Sequence, residues 1–315
     1  MNNNTDVTAS TVKPKKSLVK EIIRFKEIYL LMLIPLVYFF IFKYIPIWNG
    51  QIAFKNFQPV KGVLHSAWAG LKYFKEFFGS FYFWELLRNT VGYSFGKLII
   101  SVPISIILAV VIFESQRNVL RKIVQTLSYL PHFLSWVIMY GILLSLLAPG
   151  DGLFNDIIKM FGGKPIDYLT STKAFPFIVI LSDAWKGMGW GAIIFIAALM
   201  GIDPALYEAA MVEGASAWQR TKYITIPSIL SVIVMVILLK IGTILDAGFN
   251  QIFMLYSIPV YSVADIIDTW VYRQGLLEFK FSLATAVGIF KGVIGFLLLV
   301  FANKLTRKVA DSGLF

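Results

Sequence analysis

Six apolar runs, at 29–47, 86–113, 123–147, 175–200, 228–256 and 283–303, constrain this chain more than any other feature of it. A transmembrane helix needs roughly 20 mostly apolar residues, and the runs meet or approach that length. Lipid offers no hydrogen bonds, so a spanning backbone must satisfy its own polar groups, as a helix does. The expected fold class is therefore all-α: a polytopic membrane protein with six transmembrane helices. The second and fifth runs exceed one bilayer thickness and predict tilt or extension beyond the lipid. The first is too long and starts too late for a signal peptide, and no small-x-small cleavage site follows it. Pro35, Pro103 and Pro131 fall inside runs, where kinks are tolerated if neighbouring helices take up the freed carbonyls. Composition agrees: 57% of residues are apolar and 15% charged, against about 25% charged in soluble domains.

The net charge of +11 reads as basic anchoring of cytoplasmic segments and not as nucleic-acid binding. With the N-terminus inside, the cytoplasmic segments carry 14 Lys and Arg in 75 positions, and the outer segments nine in 91. Both termini are thus expected in the cytoplasm. The chain divides into a basic tail at 1–27, a transmembrane domain at 28–303 and a short tail at 304–315. Residues 1–17 read as disordered, and 18–27 as a short amphipathic helix along the membrane face. Several function classes are excluded. There is no cysteine, and the two histidines, His65 and His132, stand apart, so no metal site is expected. No Gly-x-x-x-x-Gly-Lys-Ser/Thr loop is present to cradle phosphates. No Gly-x-Ser-x-Gly or His-Glu-x-x-His supports a catalytic centre.

The connector between the fourth and fifth runs, 201–227, carries the strongest local signal. Asp203 is a good N-cap and Pro204 suits the first helical position. A short helix follows to Val212, and Gly214 can take the left-handed conformation that ends it. Ser216 can cap a second short helix running toward Pro227. Ala209 and Ala210 leave room for close approach by another protein. The plainer alternative is a featureless cytoplasmic connector.

Here the chain resembles a family. Glu208, Ala209 and Ala210, then Gly214, then Ile224 and Pro227 match the spacing of the Glu-Ala-Ala motif of binding-protein-dependent ABC import permeases. Ile226 stands where leucine is usual. Trp68, Gly70, Leu71 and Phe74, followed by Asn89 and Thr90, resemble a stretch of the carbohydrate permeases. The segment 264–273 and the C-terminal run resemble the LplB-type subgroup, permeases of polysaccharides and complex oligosaccharides. The resemblance implies a type I ABC importer permease fold in the bacterial cytoplasmic membrane. It implies a second homologous permease, two ATPase subunits that hold ATP and Mg, an extracellular solute-binding lipoprotein and an oligosaccharide substrate. The loop 201–227 would be the coupling helix pair docking on an ATPase. No cofactor is expected on this chain.

Ionisable groups at membrane depth are costly and usually functional. At about 1.5 Å per residue, Asp183 and Lys291 lie roughly 12 Å below the outer end of their runs, and Lys97 and Lys186 about 16 Å. Lys240 lies at middle depth, and Asp246, Asn250 and Gln251 nearer the outside. Trp136, Trp185 and Trp190 add aromatic faces on which sugar rings can pack. Asp183, Lys186, Asp246, Asn250 and these three tryptophans are the glycan-pathway candidates. The alternative for the lysines is snorkelling or pairing with Asp183 or Asp246, and for the tryptophans ordinary helix packing. Lysines facing the bundle interior would favour an anionic glycan. The pairs Gly92/Gly96, Gly187/Gly191 and Gly288/Gly292 predict close helix contacts. Two rival readings are a permease of the same architecture for another solute, such as a peptide, and a stand-alone secondary transporter, which would leave the cytoplasmic helix pair unpartnered.

Overall fold

The computed structural model describes residues 24–115 and 117–310. Most of the basic tail, and the end of the C-terminal run, lie outside the described residues. The chain forms two units, divided after Gln51. In the first, helix α1 (Lys26–Phe39) continues through a π turn at Phe40–Tyr44 into a short helix at Ile45–Trp48. The helical stretch Lys26–Phe54 is long and apolar enough to cross a membrane.

The second unit is a helical bundle. Strands β1 (Lys55–Asn56) and β2 (Ala67–Trp68) pair antiparallel, with Lys55 opposite Trp68. Helices α2 (Lys72–Phe78) and α3 (Phe83–Glu114) follow, then α4 (Asn118–Phe133), α5 (Trp136–Leu147), α6 (Leu153–Met160) and α7 (Phe175–Leu199). The connector contributes α8 (Pro204–Val212) and α9 (Ala217–Arg220). Helices α10 (Leu230–Gly242), α11 (Phe249–Leu255), α12 (Ile267–Tyr272) and α13 (Phe281–Ala310) complete the unit. The helix α13 runs past residue 303 without a break.

Among the described residues four helices qualify as single spans, and the number reaches six if each of two bent pairs is one span. One bent pair is the expected third run; the other, Ala217–Ser228 with Leu230–Gly242 at 59°, joins the end of the connector to the first half of the expected fifth run. Helices α4 and α5 meet at 111°. Pro131 lies in the last turn of α4, and Ser135 caps α5 by accepting from Ile138 N at 3.3 Å. The fifth run does not form one helix from 228 to 256. Helix α10 ends at Gly242, the chain unwinds, and Gly248 at φ +89° starts α11. Only glycine enters that left-handed region without penalty.

Lipid is as apolar as leucine, so helices in a membrane associate through close packing and polar pairs. The main seam is α7 against α3, with α4 on the other side of α7 and α13 beside α10. Glycines set how close these approaches are. A Cβ at Gly189 would overlap the Ser128 carbonyl of α4, one at Gly191 would sit 2.5 Å from Ser105 Oγ, and one at Gly96 would sit 2.5 Å from Ile180 Cδ1. Gly92, Gly187, Gly288 and Gly292 have nothing within 4 Å, so the paired spacing read from the sequence identifies only half of two contacts. One apolar core lies between α3, α7 and the connector end, around Ile112, Phe195 and Leu199. Another lies at the opposite end of α3, around Phe77, Phe83 and Trp270.

Candidate functional site

The connector folds as two helices hinged on one glycine. Asp203 Oδ1 accepts from Ala205 N at 2.9 Å, and Pro204 occupies the first turn of α8. The chain reverses at Gly214, φ +80°, and Ala215 N bonds back to Ala210 O at 2.9 Å. Ser216 and Gln219 then form a reciprocal capping box at the start of α9. Such a box satisfies two of the four donors that a helix start leaves unpaired. The helix continues through a π turn at Thr221–Thr225 to Ile226–Ser228. Tyr207 OH lies 3.0 Å from Thr225 Oγ1, which ties the two helices together, and Thr221 Oγ1 donates to Glu114 at 2.9 Å, which ties them to the end of α3.

This leaves one face of the pair uncovered. Glu208, Ala209, Gly214 and Pro227 are exposed, and Ala210 and Ile224 half-buried. Large apolar side chains stand beside them: Val212 is 89% exposed and Trp218 74%. Leu206, Met211 and Tyr223 are also exposed. Contiguous apolar exposure rimmed by polar groups marks an interaction surface.

The membrane-depth groups divide into engaged and free ones. Lys97, on α3, is buried. Its ammonium lies 3.4 Å from Asp183 of α7, and donates to Gln251 Oε1 at 2.5 Å and to Ala247 O at 2.8 Å. The last of these carbonyls is one that the unwinding before α11 had freed. Gln251 in turn donates to Val179 O at 2.7 Å and Ser182 Oγ at 2.9 Å. Ser101 Oγ bonds Asp183 Oδ2 at 3.3 Å. One network thus joins α3, α7 and the break in the fifth run.

Lys186 does other work. Its ammonium donates to the carbonyls of Pro131, His132 and Leu134, at 3.2, 2.6 and 2.7 Å. These carbonyls lie where α4 turns into α5, where Pro131 O also accepts from Leu134 N at 3.2 Å, and the lysine caps that bend. It also lies 5.7 Å from the Trp136 ring centre. Trp190 stacks on His132, with centres 4.5 Å apart and planes 2° from parallel. Trp185 lines an apolar groove of about 530 Å³ with Leu143, Leu147 and Phe177. Lys291 pairs with both oxygens of Asp268 at 2.7 Å. Asp246 and Asn250 are exposed beside the unwound segment. The structure therefore brings Asp183 together with Lys97 and not with Lys186. The sequence reading missed Asp268 as a partner of Lys291 and Lys186 as a cap; Pro131 in the interior of the third run was the signal for the second.

The motifs at the other end of α3 prove to be scaffold. Asn89 Nδ2 donates to Ser262 O at 3.2 Å and Asp265 O at 3.0 Å, and Thr90 Oγ1 accepts from Ile267 N at 3.0 Å. Arg273 grips both oxygens of Asp265 and lies 4.9 Å from the Tyr261 ring centre. Burial opposes the guanidinium charge, and the Asp265 carboxylate outweighs it, so the Arg273 pKa stands above its ordinary value. Trp68 stacks on Phe54 at 5.8 Å, and Tyr73 OH donates to Asn56 Oδ1 at 2.7 Å.

Residues 101–311 match the family model described as the inner membrane component of binding-protein-dependent transport systems. The chain belongs to that family. A polygalacturonan/rhamnogalacturonan transport system permease, YteP of Bacillus subtilis (strain 168), is 41% identical over 301 residues, 96% of this chain and 94% of the relative. The protein LplB of the same organism is 39% identical over 292 residues, 93% and 92% of the two chains. A crystal structure of a bacterial ABC transporter involved in import of the acidic polysaccharide alginate superposes with a TM-score of 0.86 at 38% identity, covering 93% of this chain and 99% of that one. A second structure of the bacterial alginate ABC transporter, in complex with an alginate pentasaccharide-bound periplasmic protein, matches with a TM-score of 0.86 at 36% identity over 94% and 99% of the chains. The chain is thus a multi-pass component of a transport system in the cytoplasmic membrane, with the permease fold of these importers. Its family match begins on α3 and includes the whole helix pair 204–228.

Proposed function

We propose that this chain is one of two permease subunits of an ATP-driven importer that moves an oligosaccharide from an extracellular binding protein into the cell. The observation that carries the reading is the uncovered helix–glycine–helix face, with Glu208, Ala209 and Ala210 beside exposed Met211, Val212 and Trp218. An apolar surface of this kind, locked to the end of α3 through Glu114, is fit to pass a partner's movement into the bundle. Glu208, Ala209, Ala210, Gly214, Ile224 and Pro227 form the coupling element. Two ATPase subunits hold ATP and Mg, and this chain does no chemistry. In this reading the chain crosses six times, and the excess of Lys and Arg puts both termini and the coupling element on the cytoplasmic side. Asp183, Asp246 and Asn250 face the route of the glycan, while Trp136, Lys186 and Trp190 shape its walls through the α4–α5 bend. The oligosaccharide class is supported by the polygalacturonan/rhamnogalacturonan and alginate that YteP and the alginate transporter carry.

The test is uptake by proteoliposomes holding this chain, a second permease, the ATPase pair and the loaded binding protein. ATP-dependent oligosaccharide import that stops when any one part is left out is the expected result. Import by this subunit without a second permease refutes the heterodimer, and import without the ATPase refutes the class.

A further inference from the structure

Three of the four lysines at membrane depth are engaged. Lys97 holds Asp183 and Gln251, Lys186 holds three carbonyls, and Lys291 holds Asp268. Lys240 differs. Among the described residues its ammonium has no ion-pair or hydrogen-bond partner, and the residue is exposed. Yet it is not simply turned to lipid. It lines a cavity of about 90 Å³ together with Asp183, Ser101, Ser105, Gly187 and Gly191, all from α3 and α7. That volume suits a carboxylate and a water better than a sugar ring. The one carboxylate on its wall, Asp183, is already taken by Lys97 and Ser101. Asp246 lies within electrostatic reach of the same cluster, but makes no ion pair with Lys240. A lone ammonium at membrane depth is unfavourable until water or an anion meets it. Ser101 already donates to Asp183 and Ser105 to Ser101 O, which leaves the Lys240 ammonium as the donor that this wall can turn to an oxyanion.

We infer that Lys240 reads the substrate's charge: it is a specificity-determining residue that meets a carboxylate of an acidic, uronate-bearing oligosaccharide as it passes. The inference rests on the importer reading and adds the substrate class and the residue. A neutral glycan can hydrogen-bond to the ammonium but gains no attraction between opposite charges, which strengthens as the surroundings dry.

The test uses the assembled transporter in proteoliposomes, with binding protein at saturation. Uptake is measured for trigalacturonate, trimannuronate and the neutral methyl ester of trigalacturonate, in wild type, Lys240→Gln and Lys240→Arg. Lys240→Gln is expected to lower uptake of the imported acid by about tenfold, while the loaded binding protein still stimulates ATP hydrolysis; Lys240→Arg should retain most uptake. Lys240→Gln uptake of the acid within twofold of wild type overturns the role of this residue. So does an equal fall in both variants with loss of ATPase stimulation, which marks a structural role. Wild-type import of the ester with neither acid overturns the acidic class and leaves the importer reading standing. Wild type that imports no oligosaccharide under ATP overturns both.

Discussion

Replacing Lys97 by methionine removes the centre of the network that joins α3, α7 and the break in the fifth run. The substitution keeps the length of the buried stem and deletes the charge. Three acceptors lose their donor: Asp183 Oδ1, Gln251 Oε1 and Ala247 O. Removing one partner of a buried ion pair costs about 3–5 kcal/mol where the charge left behind stays dry. Asp183 is 32% exposed and keeps Ser101, so solvent screening pulls its share well below that figure. The two neutral acceptors add little, because side-chain hydrogen bonds within membranes average about 0.6 kcal/mol when unfolded helices find other partners. A net loss of roughly 2–3 kcal/mol follows. At about 2–4 °C per kcal/mol this lowers the melting midpoint by close to 8 °C. Asp183→Asn should cost more, about 3 kcal/mol, since it leaves the more buried Lys97 ammonium without its counter-charge and with only the neutral acceptors Gln251 and Ala247 O. The double substitution should then be less harmful than the sum of the singles. The assay is thermal unfolding of the detergent-solubilised transporter by intrinsic fluorescence, with the singles and the double measured together. A Lys97→Met midpoint equal to wild type, or strict additivity in the double, refutes the clamp.

Glu208→Lys reverses a charge on an exposed surface and should insert and fold normally, yet lose import and retention of the ATPase; wild-type uptake rules out the coupling role. Gly214→Val places a β-branched residue at φ +80°, a conformation costing roughly 1–2 kcal/mol for an L side chain, and should disorder the α8–α9 turn and uncouple hydrolysis from transport. Gly214→Asn should retain most coupling, and equal loss in both variants would point to the missing glycine backbone and not to handedness. Gly189→Ala should reduce the yield of folded protein more than Gly187→Ala, because only the first pushes a Cβ into the Ser128 backbone; comparable yields in size-exclusion profiles would show that α4 and α7 can part without cost.

Much of this protein is legible in one dimension because membrane constraints act along the chain. A long apolar run needs no partner to be read as a helix, since backbone satisfaction inside lipid is a local demand. The connector is legible for the same reason: Asp203, Pro204, Gly214 and Ser216 act within a few residues of their own positions. The tertiary structure decides whatever depends on helix rotation. Four lysines at similar depth look alike in sequence, yet one pairs with an aspartate, one closes a bend, one pairs across to α12 and one has no partner among the described residues. The breaks are likewise set by neighbours. Ala247 O can leave its helix because Lys97, 150 positions earlier, accepts the task of bonding it, and Lys186 caps the carbonyls where α4 turns. A helix at membrane depth unwinds only where another helix supplies the missing donor, and that supply depends on which faces meet, a property that no single run of residues contains.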